Sequence, residues 1–179
     1  NVDDLALMLD AGVGHQVDDP LSFDHFGLSF VKVLKQVETP KRVAFSPDLS
    51  VVSMEKEIAE VCRGATKVFK DIGTELTDEI PDFGGVLEAF QTLRAVLFAT
   101  MMEPILNQHR DRIAPEIVGN IERGLNISPS QIFEAERVRI ELFKKILDFF
   151  ETHDFLVCPA ASIAPFPVDQ RYITEIDGK

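Results

Sequence analysis

Residues 42–77 constrain the fold more than any other stretch of this chain. "RVAF" at 42–45 is a short apolar run that reads as a strand. Ser53 is the predicted N-cap of the helix that follows, with Glu55 and Glu57 in its first turn, where the helix dipole favours acids. Ile58, Val61, Cys62, Ala65, Val68, Phe69 and Ile72 then recur at helical spacing as one apolar stripe. Gly73 stops the helix, and "TELTDEIPD" reads as a second strand with Leu76 and Ile80 as its apolar positions. A strand, an amphipathic helix, a glycine and a strand make a βαβ unit, so the two strands are expected to pair in parallel through a right-handed crossover.

The flanking segments are helix-rich. Val2, Leu5, Met8 and Leu9 form a stripe on a helix from Asn1 to Leu9, ended by Gly12 and Gly14. Residues 15–41 follow as a long connection broken by Pro20 and Pro40. Val86 to about Ile113 reads as a long helix with Phe90, Leu93, Leu97, Phe98, Met101, Ile105 and Leu106 inward and Pro104 kinking or dividing it. "PEIVGNIERGLNI" gives a short helix. "SPSQ" at 128–131 supplies Ser128 as N-cap, Pro129 at N1 and Gln131 at N3 of a capping box. That helix runs to about Thr152, with Phe133, Ile140, Phe143, Leu147 and Phe150 on one face, and Asp154 to Cys158 is a buried strand stopped by Pro159. At least five helices stand against three or four strands. So few strands cannot cover so much apolar helix, and the expected fold is α/β, a mixed sheet covered by helices whose further strands lie outside this chain.

A formal net charge of −12 argues against a nucleic-acid partner, which needs a basic patch. No run approaches the roughly 20 apolar residues of a membrane span, and the start, which carries Asp3, Asp4 and Asp10 and no basic residue, is not a signal peptide. Two cysteines without framework spacing, Cys62 and Cys158, suit a reducing, cytoplasmic compartment, a disulfide being the alternative. No nucleophile elbow, phosphate loop, dinucleotide fingerprint or zinc-protease motif is present. His15 and His25 lie near Asp18, Asp19 and Asp24, but the spacing matches no standard metal site, and neither metal nor cofactor is expected. Cys158 has no histidine in its own loop to activate it, since His153 belongs at the other end of the strand, and Cys62 falls on an apolar helix face. Asp169, Arg171, Glu175 and Asp177 make a polar tail, expected as a surface loop.

The order of the segments is more telling than any one of them. "VDDLALMLD", "DPLSF", "KRVAFSPDL", "FKDIGTELTDEIPDF", "AFQTLRAVLFA" and "FETHDFLVCPAASIAPFPVDQRYITEIDG" together resemble the later part of amidase-signature enzymes, over nearly the whole chain. The closing "FPVDQRY" and "TEIDG" resemble a bacterial subgroup.

That resemblance implies an amide hydrolase working through a Ser–cis-Ser–Lys arrangement, with backbone N–H groups of a Gly/Ser-rich loop holding the oxyanion. It places all three catalytic residues before the start of this chain, so no catalytic residue is expected among residues 1–179. It also implies that the Pro-rich loop lines the substrate pocket through Cys158, Pro159, Ala160, Ala161 and Phe166, with a cysteine at 158 where such strands commonly carry threonine. The chain is then a single piece of a larger amidase domain, and this piece alone is expected to be inactive. Its expected partners are the remainder of the polypeptide, a small-molecule amide and, in one arrangement, a second copy in a homodimer, with no nucleic acid and no membrane. A non-catalytic scaffold or binding module that kept the same fold is the alternative.

Overall fold

Val43, Ala44 and Phe45 are 0, 0 and 1 % exposed, and the sheet is built around them. In the computed structural model, which describes residues 1–24 and 26–178, they belong to strand β1 (Arg42–Phe45), flanked by β2 (Glu75–Thr77) and β3 (Phe155–Val157). The order is β2-β1-β3, with Val43 opposite Leu76 on one side and Phe155 on the other. Both pairings are parallel, and that of β1 with β2 is the one the βαβ reading requires. The expected second strand is shorter than its sequence suggested, ending at Thr77 rather than reaching Ile80.

The chain divides into two compact units, Asn1–Thr39 and the part from Pro40 onward. In the first, helix α1 (Val2–Gly12) is capped by Asn1, whose side chain accepts the Asp4 N–H at 2.9 Å. Gly12 is its last residue rather than its stop, and Val2, Leu5, Met8 and Leu9 are all exposed. The expected loop contains one further turn, α2 (Phe30–Val33), and the Asp10 carboxylate accepts from Ser29 Oγ at 2.8 Å and Phe30 N at 2.6 Å.

In the second unit the helix after β1 starts later and is interrupted. Helix α3 (Lys56–Ala65) has Glu55, not Ser53, at its N-cap, and buried Thr66 separates it from α4 (Lys67–Asp71). Thr66 Oγ1 donates to the Arg63 carbonyl at 2.7 Å, a back-bond that helices tolerate poorly in mid-run. Gly73, at φ 85°, makes the left-handed turn into β2.

The rest is a three-helix layer. Helix α5 (Val86–His109) runs unbroken through Pro104 and ends in a single 3-10 turn at Arg110–Arg112, short of the expected Ile113. It packs on α6 (Pro115–Leu125) and on α7 (Pro129–Phe150). The capping box that opens α7 forms as expected, Ser128 Oγ accepting from Gln131 N and Gln131 Oε1 from Ser128 N.

The contact face of these helices corrects the sequence reading. The buried residues are small ones, Ala89, Thr92, Ala95 and Ala99 on α5 and Ala135 on α7, joined by Leu106 and Ile121. A side chain at Gly124 would put its Cβ 2.0 Å from the Ala95 carbonyl oxygen, so α6 meets α5 backbone to backbone there. Of the residues expected inward, Phe90, Leu97, Met101 and Ile105 on α5 and Phe133, Ile140, Phe143, Leu147 and Phe150 on α7 are between 44 and 64 % exposed. Close helix approach favours the alanine face, and that turns the large apolar stripes outward.

Candidate functional site

In open α/β sheets ligands bind beyond the carboxyl ends of the strands, where the strand order reverses. Here the chain leaves β1 for β2 on one side and returns to β1's other side as β3. The segments that leave the carboxyl ends of β1 and β3, residues 46–54 and 158–167, therefore flank the position where such a fold places a ligand.

The first segment is tightly held. Ser46 is buried, its N–H donates to the Val157 carbonyl at 3.0 Å, and its Oγ accepts from Leu49 N at 2.9 Å. Asp48 Oδ1 accepts from Ser50 N at 2.8 Å. Between these bonds Leu49 and Ser50 sit at φ 52° and 58°, two successive left-handed residues without glycine. Such conformations cost roughly 1–3 kcal/mol each and persist only where their surroundings enforce them. This loop borders a cavity of about 630 Å³ lined by Pro47, Asp48, Val51, Met54, Ile176 and Asp177, among others.

The second segment is the Pro-rich loop. Pro159 is half-buried, Ala160 and Ala161 are exposed, and Phe166 is 44 % exposed. Exposed Cys158 lines a separate apolar cleft of about 290 Å³ together with Cys62, Phe45, Phe69 and Val157. Both thiols are free, and they share this cleft despite their separation in sequence.

Glu55 joins the two segments. Its N–H donates to the Ser162 carbonyl at 2.9 Å, and its Oε2 accepts from Ala164 N at 2.8 Å. Next to it, Asp177 Oδ2 accepts from Lys56 N at 2.9 Å. The polar tail is thus exposed, as expected, yet pinned at two points, because Tyr172 donates to the Glu116 carboxylate and Arg171 Nη2 lies 2.7 Å from the same group. The Tyr172 bond, with Arg171 nearby, holds the Glu116 carboxyl below its ordinary range, and the same bond pushes the Tyr172 phenol up.

His153 is buried, stacks on Phe149 at 4.1 Å and hydrogen-bonds Thr77 Oγ1 at 3.1 Å. It precedes β3 while Cys158 follows it, five residues or roughly 16 Å of extended chain away, so it cannot activate that thiol. Asp154 Oδ2 accepts from Lys41 N at 2.6 Å and Arg42 N at 2.9 Å, and these backbone donors, Arg42 first, hold its carboxyl below the ordinary range. Among the described residues no three His, Cys, Asp or Glu side chains are grouped to hold a metal ion, and no helix is long and apolar enough to cross a membrane. His25, one member of the loop constellation read from the sequence, lies outside the described residues.

The family model for amidases matches residues 1–177. The chain belongs to the amidase family. Within it, this amidase chain is 26 % identical over 179 residues to an acylamidase of Rhodococcus erythropolis and 25 % identical over 185 residues to an amidase of Pseudomonas putida, covering 99 % of itself and 38 % of either relative. The chain spans under two-fifths of the length of these relatives. Its backbone superposes on the crystal structure of a bacterial aryl acylamidase of the amidase-signature enzymes with a TM-score of 0.83, at 22 % identity, covering all of this chain and 39 % of that one. The fold is a portion of the amidase-signature fold.

The sequence pointed to the Pro-rich loop but not to the residues that hold it. Glu55 read only as a first-turn acid, and nothing local marks a partner 109 residues away. The left-handed pair after β1 did carry a signal, since "SPDLS" places a serine and an aspartate where their side chains close a turn on the next backbone N–H groups.

Proposed function

We propose that this chain is part of an amide-bond hydrolase acting by the Ser–cis-Ser–Lys mechanism, with the catalytic residues outside residues 1–179. The observation that carries the reading is that Glu55 ties residues 46–54, which border a cavity beyond the carboxyl end of β1, to the Pro-rich loop 158–167, in a chain of the amidase family. In this reading the two loops form one wall of the substrate pocket, with Cys158, Pro159, Ala160, Ala161 and Phe166 on the Pro-rich side. The remaining wall, the nucleophile and the oxyanion donors come from the remainder of the polypeptide, which also covers the exposed stripes of α5 and α7. The substrate is a small-molecule amide, and the acylamidase and aryl acylamidase among its likenesses favour acyl and aryl amides as first probes. Bacterial relatives and two free thiols support a bacterial cytoplasmic enzyme.

The test is hydrolysis of a panel of aryl and alkyl acyl amides by the full-length polypeptide that carries this sequence. Turnover abolished by replacing its signature-loop nucleophilic serine supports the reading. A full-length polypeptide that binds amides but does not cleave them makes the chain a scaffold or binding module instead.

A further inference from the structure

Residues 158–167 have little means of holding their own position. Pro159, Pro165 and Pro167 have no backbone N–H to donate, and Ala160, Ala161 and Ala164 have no side chain that reaches a partner. Two bonds to a single residue hold the middle of the loop, from Glu55 N to Ser162 O at 2.9 Å and from Ala164 N to Glu55 Oε2 at 2.8 Å. They bracket Ile163 from both sides.

Glu55 makes this grip at the expense of its local role. It is the N-cap of α3, at φ −58° and ψ 132°, yet its side chain makes no bond to its own helix. An N-cap acid ordinarily accepts from the N–H groups two or three residues on. Here the carboxylate points to Ala164 instead, and the first N–H of α3, on Lys56, is taken by Asp177.

We infer that Glu55 is a positioning residue that sets the distance between the Pro-rich loop and the loop after β1, and so the width of the pocket wall they form. This rests on the proposed amidase reading. The bond at Ala164 requires an acceptor oxygen and not a charge, so a glutamine should serve and an alanine should not. Loss of this bond should weaken substrate binding on the order of tenfold where the bound geometry depends on it.

Two measurements on the full-length polypeptide test this. In amide hydrogen exchange, Glu55→Ala should speed exchange at Ala164 by about tenfold or more while leaving Val43 to Phe45 unchanged, and Glu55→Gln should stay near the parent rate. In amide hydrolysis, Glu55→Ala should raise KM about tenfold with kcat within about twofold, and Glu55→Gln should restore KM to within about threefold. Unchanged exchange at Ala164 in Glu55→Ala overturns the clamp. Faster exchange with unaltered KM, or a loss confined to kcat, overturns the role in the pocket. Absence of any amide hydrolysis overturns the functional reading and the pocket role with it, while the exchange result still decides whether the clamp exists.

Discussion

Asp154 fastens the start of β1 from a neighbouring strand. One carboxylate oxygen accepts two successive backbone N–H groups, and its own N–H returns a bond to the Arg42 carbonyl at 2.8 Å. Because its carboxyl in the folded chain titrates below the ordinary value of 3.8, it stabilises the fold above that pH. That contribution is lost as pH falls from about 3.8 through the lowered folded value. Asp154→Asn should therefore lower stability near neutrality and flatten the decline on the acid side below pH ~4, measured by urea unfolding at a series of pH values. Gly124 is a different kind of single-residue constraint, because the Ala95 carbonyl fills the space a methyl group would need. Gly124→Ala should destabilise by at least about 1–3 kcal/mol, read from the urea midpoint, despite alanine's better helix propensity.

At the scale of elements, Pro104 sits inside α5 without dividing it, so the helix bears a missing hydrogen bond and a crowded turn. Since residue 104 is exposed, Pro104→Ala should stabilise by about 1–3 kcal/mol, seen as a higher urea midpoint with helicity unchanged or slightly raised. Elements with local causes were legible in the sequence. The Ser128–Gln131 box starts α7 where expected, β1 has its expected bounds, and Gly73 makes the expected turn. The faces of α5 and α7 were not legible, because helical periodicity follows the largest apolar residues whereas α5 buries Ala89, Ala95 and Ala99 and α7 buries Ala135. The start of α3 was misplaced for a similar reason. Ser53 is a competent cap by type, but the bonds of Glu55 to Ser162 and Ala164 keep the chain extended for two more residues. Of the candidate site, the Pro-rich loop was visible from its prolines and its likeness to a family, whereas its anchor depends on contacts across 109 residues.

For the molecule as a whole, the large stripes on α5 and α7 dominate. Phe90, Leu97, Met101, Phe133, Phe143 and Leu147 are each more than half exposed. Burial of such surface stabilises by about 25 cal/mol per Å², so these faces favour any apolar surface that reaches them. The 179-residue chain expressed alone should self-associate or bind a dye that reports exposed apolar surface. Polar replacement of Phe90, Leu97, Phe133 and Phe143 together should return sedimentation toward the monomer without loss of helical signal. A dye-negative monomer before any replacement refutes this. The same chain alone should also show no hydrolysis of simple aryl amides above a buffer control. Turnover that survives purification and disappears in Cys158→Ala would give that thiol a role the position of His153 argues against.

The register of the sheet also sets a schedule for its assembly. β1 and β2 are joined by one short crossover, whereas the bonds from Asp154 that seat β1 against β3 span 112 and 113 residues. A ribosome adding about 5–20 residues per second takes roughly 5–20 s to cover that interval. For that time one edge of β1, whose residues end up almost wholly buried, waits without its partner strand while the helices between are made. Substitutions that slow the helical layer, such as one at Gly124, would lengthen the wait, and their effect in a cell should exceed what purified protein shows at equilibrium.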